Sequence, residues 1–149
     1  MRPDKAKTKP KHVWQDTKIS ATLIDFGKPL IDQLPPDAPK VLREQLIGFI
    51  VGTWNAHVLA LPAWGQPKHL ADMRQALAHG WAQHAVDPQA IASFEMLNDR
   101  RRQRRFADDP RAIGEWGVRQ LGPTQWNVYC DARLPPQRAT TESDKPATA

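Results

Sequence analysis

The chain has 149 residues, with 21 Lys and Arg against 16 Asp and Glu, 40% hydrophobic residues, six Trp and a single Cys. This length predicts one compact domain rather than two. One Cys cannot form an internal disulfide or supply two thiolates to zinc, so disulfide-stapled scaffolds and zinc fingers are excluded, and a reducing, cytoplasmic location is expected.

The positive charge is concentrated in two segments. Residues 1–18 carry six Lys and Arg against two acidic residues, and residues 96–120 carry seven against four. The first segment has too little apolar material to offset the entropy of ordering it, so residues 1–18 are predicted to be a basic disordered tail. Residues 134–149, rich in Pro, Thr and Ser, are predicted to be a second disordered tail. A single helical domain over residues 19–133 lies between them.

Two helices are predicted in the first half of this domain. Ser20 is the predicted N-cap of the first, and Pro29 must kink that helix or start it afresh. Asp37 is the predicted cap of the second, which stops around Pro62 and is the longest apolar element. The predicted inward residues are Leu23, Phe26, Leu30 and Leu34 in the first helix and Val41, Leu42, Leu46, Ile47, Ile50, Trp54, Val58 and Leu61 in the second.

Two further helices are predicted before residue 110. The third runs from about Pro67 to His79. The fourth begins with Asp87 as cap and Pro88 at the first helical position, and it continues into a run of arginines at residues 100–105. Their predicted inward residues are Leu70, Met73, Ala76 and Leu77 in the third helix and Ile91, Phe94 and Leu97 in the fourth.

After Pro110 the apolar period changes from about 3.6 residues to 2, which is typical of β-strands. Ala112 and Ile113 are predicted to point to opposite sides of the first strand. The turn signal at residues 121–124 predicts a hairpin, and a lone hairpin is only marginally stable, so its Trp126, Val128 and Cys130 face should pack on the helices. The predicted fold is α+β and mainly helical, with about four helices around a central apolar helix and a C-terminal β-hairpin.

Residues 46–67 contain no Asp, Glu, Lys or Arg. The run is long enough to span a bilayer, and Gly48 and Gly52 have the spacing that lets two helices approach closely in lipid. However, Thr53, Asn55 and His57 interrupt its apolar character. We therefore predict a central core helix, with the two glycines admitting a close neighbour, and consider a membrane location unlikely.

The segment from Arg74 to His79 resembles the Arg-x4-6-His motif of HEPN ribonucleases, which are small helical bundles that dimerise to pair their motifs over RNA. The resemblance covers six residues, and this composition supplies about one such match by chance. In a regular helix the two side chains lie about 140° apart and would not converge. A HEPN-like ribonuclease using Arg74 and His79 is a remote alternative, which the β-hairpin also disfavours.

No other catalytic, metal or cofactor site is predicted. Ser20 and Ser93 lack a glycine-rich elbow, and Cys130 lies on the inward face of a strand, where a thiol is usually inert. His57, beside Trp54, is interpreted as a satisfied core histidine.

The arginine run is the strongest functional signal. If the fourth helix stays regular, Arg101, Arg104 and Arg105 continue its apolar stripe beyond the core and face a cleft, a partner or solvent. Guanidinium groups suit phosphate and carboxylate partners, although basic residues in a last helical turn also complement the helix dipole.

Two functions of different classes follow from this run. The first is a non-enzymatic module that binds a polyanion, RNA or DNA, through the helix end and residues near it. The second is an adaptor or accessory subunit that docks on an acidic protein partner. The candidate binding residues are Arg100, Arg101, Arg104, Arg105, Arg111 and Trp116.

Overall fold

The computed structural model describes Trp14 and residues 17–79 and 87–136. The two predicted tails lie outside these residues, apart from Trp14, Thr17, Lys18 and residues 134–136. The elements in chain order are α1 (Ile19–Ile31), α2 (Lys40–Leu59), α3 (Lys68–His79), α4 (Pro88–Arg101), the short α5 (Arg104–Ala107), β1 (Ala112–Gln120) and β2 (Trp126–Arg133). The mainly helical α+β fold with a C-terminal hairpin is confirmed.

Helix α2 is the centre of the fold, as its apolar run predicts. It packs against α1, α3, α4 and β1. Its Trp54 is fully buried and meets Phe26 of α1 and Phe106 of α5 edge-to-face, with ring centroids 5.2 and 6.1 Å away. Such aromatic contacts add to the free energy of burying the rings.

None of the helices in the described ranges has the length and apolar character that a bilayer crossing requires.

Glycines allow close packing on α2, but only one of the two predicted positions does so. A Cβ at Gly48 would lie 3.3 Å from the ring of Trp116, so the hairpin approaches α2 there. No described residue lies within 4 Å of a Cβ placed at Gly52, which corrects the prediction for that position. An unpredicted close approach occurs at Gly27 of α1, where a Cβ would lie 2.8 Å from Ile50 Cγ2.

Three predicted helix starts can be compared with the structure. Asp87 caps α4 by accepting the backbone N–H of Gln89 at 2.9 Å, as predicted. Ser20 and Asp37 are not N-caps: α1 begins at Ile19 and α2 at Lys40, and neither helix has a side-chain cap. Short polar residues favour cap positions, but the packing of the apolar faces sets where each helix begins.

The predicted inward faces are only partly confirmed. In α2, Val41 is 59% and Leu42 41% exposed, whereas Ile47, Ile50 and Val58 are buried. Helix α3 has no buried residue, and its predicted inward residues are only half-buried. It therefore covers one side of α2 at the edge of the domain.

The hairpin is antiparallel and packs as predicted, with Trp126, Val128 and Cys130 against the core. Its register shifts between Ile113 and Trp116. Ala112 and Ile113 precede the shift and are both buried, so burial at the start of β1 does not follow the simple alternation.

Side chains of α2 and the turn after it hold the start of β1. Trp64 Nε1 donates to the carbonyl of Pro110 at 2.7 Å, and Trp54 Nε1 donates to that of Arg111 at 2.8 Å. The Asn55 amide accepts the N–H of Ile113 at 2.7 Å and donates to its carbonyl at 3.0 Å. These bonds satisfy backbone groups that no third strand pairs, so the hairpin docks in one position.

Helices α2 and α4 meet at a polar pair. His57 Nε2 lies 2.5 Å from Asn98 Oδ1, and Asn98 Nδ2 donates to Glu95 Oε1 at 3.3 Å. This arrangement makes Nε2 the protonated nitrogen of a neutral ring. Burial lowers the pKa of His57, and the positive charge of Arg101 lowers it further against the opposing effect of the Asn98 hydrogen bond.

We predict that acidification destabilises the protein partly through His57. Its folded pKa lies below the unfolded value near 6.5, so the unfolded state takes up more protons as the pH falls through 6.5. The free energy of unfolding, from urea titrations at about pH 7.5 and about pH 5.5, should fall more in wild type than in His57→Gln. The glutamine amide can still donate to Asn98.

The matched control is His69→Gln on the exposed surface of α3. It should lose as much stability as wild type on acidification. Equal losses in all three proteins would contradict the role given to His57.

Candidate functional site

The predicted continuous arginine stripe does not form, because α4 ends at Arg101. Arg102 is its C-cap, and a separate short helix, α5, starts at Arg104. The chain makes a turn at residues 102–103, so the arginines of residues 100–105 do not share one helix face. The assumption of a regular helix through residue 105 was therefore wrong, and each arginine has its own environment.

Arg101 points into the protein. Its side chain donates to the backbone carbonyls of Phe106 and, at 2.9 Å, Asp109, and its guanidinium lies 4.5 Å from the centre of the Trp54 ring. The residue is only 4% exposed. Burial lowers the pKa of Arg101 to about 10, so the group stays charged at neutral pH. It ties α4 to the turn at residues 106–109 and has no face open to an external phosphate.

Arg111 forms a buried ion pair with Asp109. Its Nε and Nη2 donate to the two carboxylate oxygens at 2.9 and 2.7 Å. Asp109 is 0% and Arg111 7% exposed. The remaining donors of Arg111 reach the Thr17 carbonyl at 2.7 Å and Thr22 Oγ1 at 3.2 Å, and the guanidinium lies 5.3 Å from the Trp14 ring centre. The pair fixes the start of α1 to the start of the hairpin.

Arg100 supplies a hydrogen bond that Pro29 removes from α1. Pro29 lies inside α1 and has no backbone N–H, so the Asp25 carbonyl lacks its usual partner four residues later. Arg100 Nη2 donates to that carbonyl at 2.6 Å, and Nε donates to the Phe26 carbonyl at 2.8 Å. These bonds explain how α1 continues through Pro29 to Ile31 without the predicted restart.

Two predicted binding residues, Arg104 and Arg105, are exposed, as is their neighbour Arg102. Arg105 Nε lies 3.2 Å from Asp25 Oδ2, and Arg102 lies 2.7 Å from Asp99 on the surface. Arg104 is exposed and has no ion pair with any described residue. Trp116, the remaining predicted binding residue, is half-buried and packs against the core.

Arg74 and His79 line one cavity of about 450 Å³ along α3. Arg74, however, is ion-paired with Glu95 at 3.6 Å and lies 5.4 Å from the Phe94 ring centre. Its guanidinium is directed to α4. Among the residues that the structure describes, no group of three or more His, Cys, Asp and Glu could hold a metal ion.

A second concave surface, which we call the groove, was not predicted. It lies between α1, the start of α2 and the turn end of the hairpin, with a cavity of about 240 Å³. Arg43 stacks 4.5 Å over the Trp126 ring and donates to the carbonyls of Pro35, Pro36 and Ala38. The lining residues are Ile24, Ile31, Leu34, Arg43, Ile47, Val118, Thr124, Trp126 and Val128.

The groove could not be found from the sequence because its walls come from three separate segments. Each apolar residue there also fits an ordinary core position at its spacing. Ile24 is the exception, because it falls off the predicted inward face of α1.

Comparison with known protein families, curated proteins and solved structures gives no match for this chain. The site therefore has to be interpreted from its own geometry.

We predict that Arg101→Gln destabilises the fold, whereas Arg104→Gln, with the same loss of charge, does not. The first change leaves two buried carbonyls without their guanidinium donor, and each unsatisfied group costs about 1–3 kcal/mol. The second alters an exposed side chain, for which changes stay within about 0.5 kcal/mol. Urea unfolding of both variants measures the difference. Equal stabilities would show that Arg101 is not structural.

We also predict that Pro29 and Arg100 are coupled. Arg100→Met should be costly in wild type, because the Asp25 carbonyl loses its donor. In a Pro29→Ala background the helix supplies that donor itself, so the same change should cost about 0.5–1.5 kcal/mol less. A double-mutant cycle of unfolding free energies measures this term. A coupling energy near zero would show that Arg100 does not replace the hydrogen bond that Pro29 removes from the Asp25 carbonyl.

Proposed function

We propose that this protein is a non-enzymatic adaptor module that docks a protein partner in the groove between α1, α2 and the hairpin. The observation that carries the proposal is the contrast between its two candidate surfaces. The buried arginines bind within the protein, whereas the groove presents apolar side chains around an open cavity of about 240 Å³. Concave apolar surfaces with an aromatic wall are typical of protein docking sites.

The groove is held in shape before any partner arrives. Arg43 donates to three carbonyls of the loop between α1 and α2, and its guanidinium carbon lies 4.5 Å from the centre of the Trp126 ring. Trp126 is thereby fixed between the core and a cation. A rigid aromatic wall lowers the entropy cost of binding, which favours measurable affinity from a small contact area.

The expected partner carries a large apolar side chain next to a carboxylate. The apolar side chain would fill the cavity beside Ile24 and Val128. Arg43 donates to the loop carbonyls through Nε and Nη2. Its Nη1 makes no hydrogen bond to any described residue, so it can donate to the partner's carboxylate. This surface is compatible with an acidic protein partner.

Polyanion binding is a second candidate, supported by one observation. Arg104 is exposed without an ion pair among the described residues, and Arg102 and Arg105 lie on either side of it. Their charge is offset by Asp99 and Asp25, which weakens attraction to phosphates. A salt-dependent affinity for RNA or DNA that Arg104→Gln reduces would support this function over docking in the groove.

We expect Ile24→Glu to weaken partner binding and Val41→Glu to leave it intact. Both are exposed apolar residues on helix surfaces, 38% and 59% exposed, and the two changes are matched in charge. Only Ile24 lines the groove. Tagged protein should retain a partner from nuclease-treated host lysate in wild type and Val41→Glu, but not in Ile24→Glu.

The captured protein is then purified and its affinity measured by calorimetry. We expect Ile24→Glu to weaken binding at least about tenfold, because a buried carboxylate would face an apolar side chain. Equal affinity for both variants, or capture that nuclease abolishes, would refute docking in the groove.

A further inference from the structure

We propose that two copies of this chain associate by antiparallel pairing of the end of β2, with a two-fold axis at Ala132. The surface involved is the segment Cys130–Leu134, which we call the β2 end. It spans the register shift and the end of the strand, away from the turn and the groove. The proposal does not depend on the proposed function.

No strand among the described residues pairs with the outer edge of β2. Leu121 donates to the Gln125 carbonyl at 2.8 Å, so the hydrogen-bonded pairs of the hairpin are those of Arg119 with Asn127 and Gly117 with Tyr129. The backbone groups of Trp126, Val128 and Cys130 therefore point away from β1. Among the described residues, no group outside the hairpin hydrogen-bonds to the backbone of β2.

The same alternation applies at Ala132. Its partner in the register is Ile113, whose N–H and carbonyl point outward to Asn55. The backbone groups of Ala132 must then point outward on the opposite side, where no described residue hydrogen-bonds to them. At this end Asn55 caps the edge of β1, and no side chain of the described ranges caps the edge of β2, so β2 is the strand that can accept a partner.

The β2 end also extends beyond the helices. Along β2 the inward positions Trp126, Val128 and Cys130 are half-buried, but Ala132 is exposed and Leu134, at the next inward position, is 62% exposed. Ala132 and Leu134 are thus not covered by any helix of the described ranges. Apolar side chains that extend beyond the core form a surface that a partner strand can cover.

A second copy complements this segment on both faces. With the axis at Ala132, Cys130 of each copy lies opposite Leu134 of the other, which joins the apolar rows into one. On the other face, Asp131 of each copy lies opposite Arg133 of the other. Asp131 Oδ1 accepts the backbone N–H of Glu115 in its own chain at 2.8 Å, so Oδ2 is the oxygen that would pair with Arg133 of the second copy, twice by symmetry. In this register even-numbered residues lie opposite even-numbered ones. Each face of the hairpin therefore continues across the strand of the second copy.

Analytical ultracentrifugation of the full chain, from micromolar to millimolar concentration, tests the proposal. We expect a reversible monomer–dimer equilibrium. Asp131→Lys and Arg133→Glu should each weaken it by about tenfold or more, because each places like charges opposite one another twice. The double exchange of Asp131→Lys with Arg133→Glu should restore dimerisation. Arg119→Glu, which has the same charge change on β1, should leave it unchanged.

Ala132→Pro provides a second test that does not depend on charge. It removes an N–H that points away from β1, so the hairpin is retained while pairing at the axis is lost. Circular dichroism confirms folding of each variant. A monomer at every concentration, or single charge changes whose effect the double exchange does not reverse, would overturn the proposal. Ile24→Glu should leave dimerisation unchanged, which separates this result from the test of the groove.

Discussion

The turn at residues 108–111 depends on a single buried ion pair, and most of the domain is connected through it. The Asp109 carboxylate is fully buried and has one guanidinium, that of Arg111, against both of its oxygens. Removing two charges from water is costly unless their remaining hydrogen-bonding capacity is also satisfied. Here it is satisfied: Arg111 reaches α1 through Thr17 and Thr22, and Asp109 also accepts the backbone N–H of Arg111 at 3.1 Å. The pair therefore determines where α1 and the hairpin can meet.

Arg101 binds the other side of the same turn. It donates to the Asp109 carbonyl while its guanidinium lies on the Trp54 ring, and Trp54 in turn donates to the Arg111 carbonyl. The central helix, the end of α4 and the start of β1 are thus joined through three polar contacts around one aromatic side chain. A network of this kind is stable only when every member is satisfied, and it specifies one arrangement of the helices. Arg101 of the arginine run therefore has a structural role.

The surfaces left open are of two chemical kinds. The groove is apolar with one cation at its edge, and the β2 end combines unpaired backbone groups with an apolar row and an Asp and Arg pair of positions. They lie at opposite ends of the hairpin, so a dimer paired through β2 leaves the groove accessible. Two copies of the groove in one assembly would bind a repeated or dimeric partner more tightly than one copy binds a single site.

The sequence by itself determined the element types, the central position of α2 and the inward face of the hairpin, because these follow from the spacing of apolar residues. It also indicated the cap at Asp87, where an acidic residue precedes a proline at the helix start. Each of these is a local property of consecutive residues. The arginine run was recognised as unusual for the same reason, from its composition alone.

Only the tertiary structure decided what the arginines do. Whether Arg100 meets solvent or a bare carbonyl depends on Pro29, which lies far away in the chain, and whether Arg111 meets a phosphate or Thr22 depends on the packing of α1. Guanidinium groups bind carbonyls, carboxylates and phosphates by the same geometry, so residue type does not separate internal from external partners. The groove and the β2 end were equally invisible, because exposure is a property of the assembled chain and apolar spacing is the same with or without a neighbour above it.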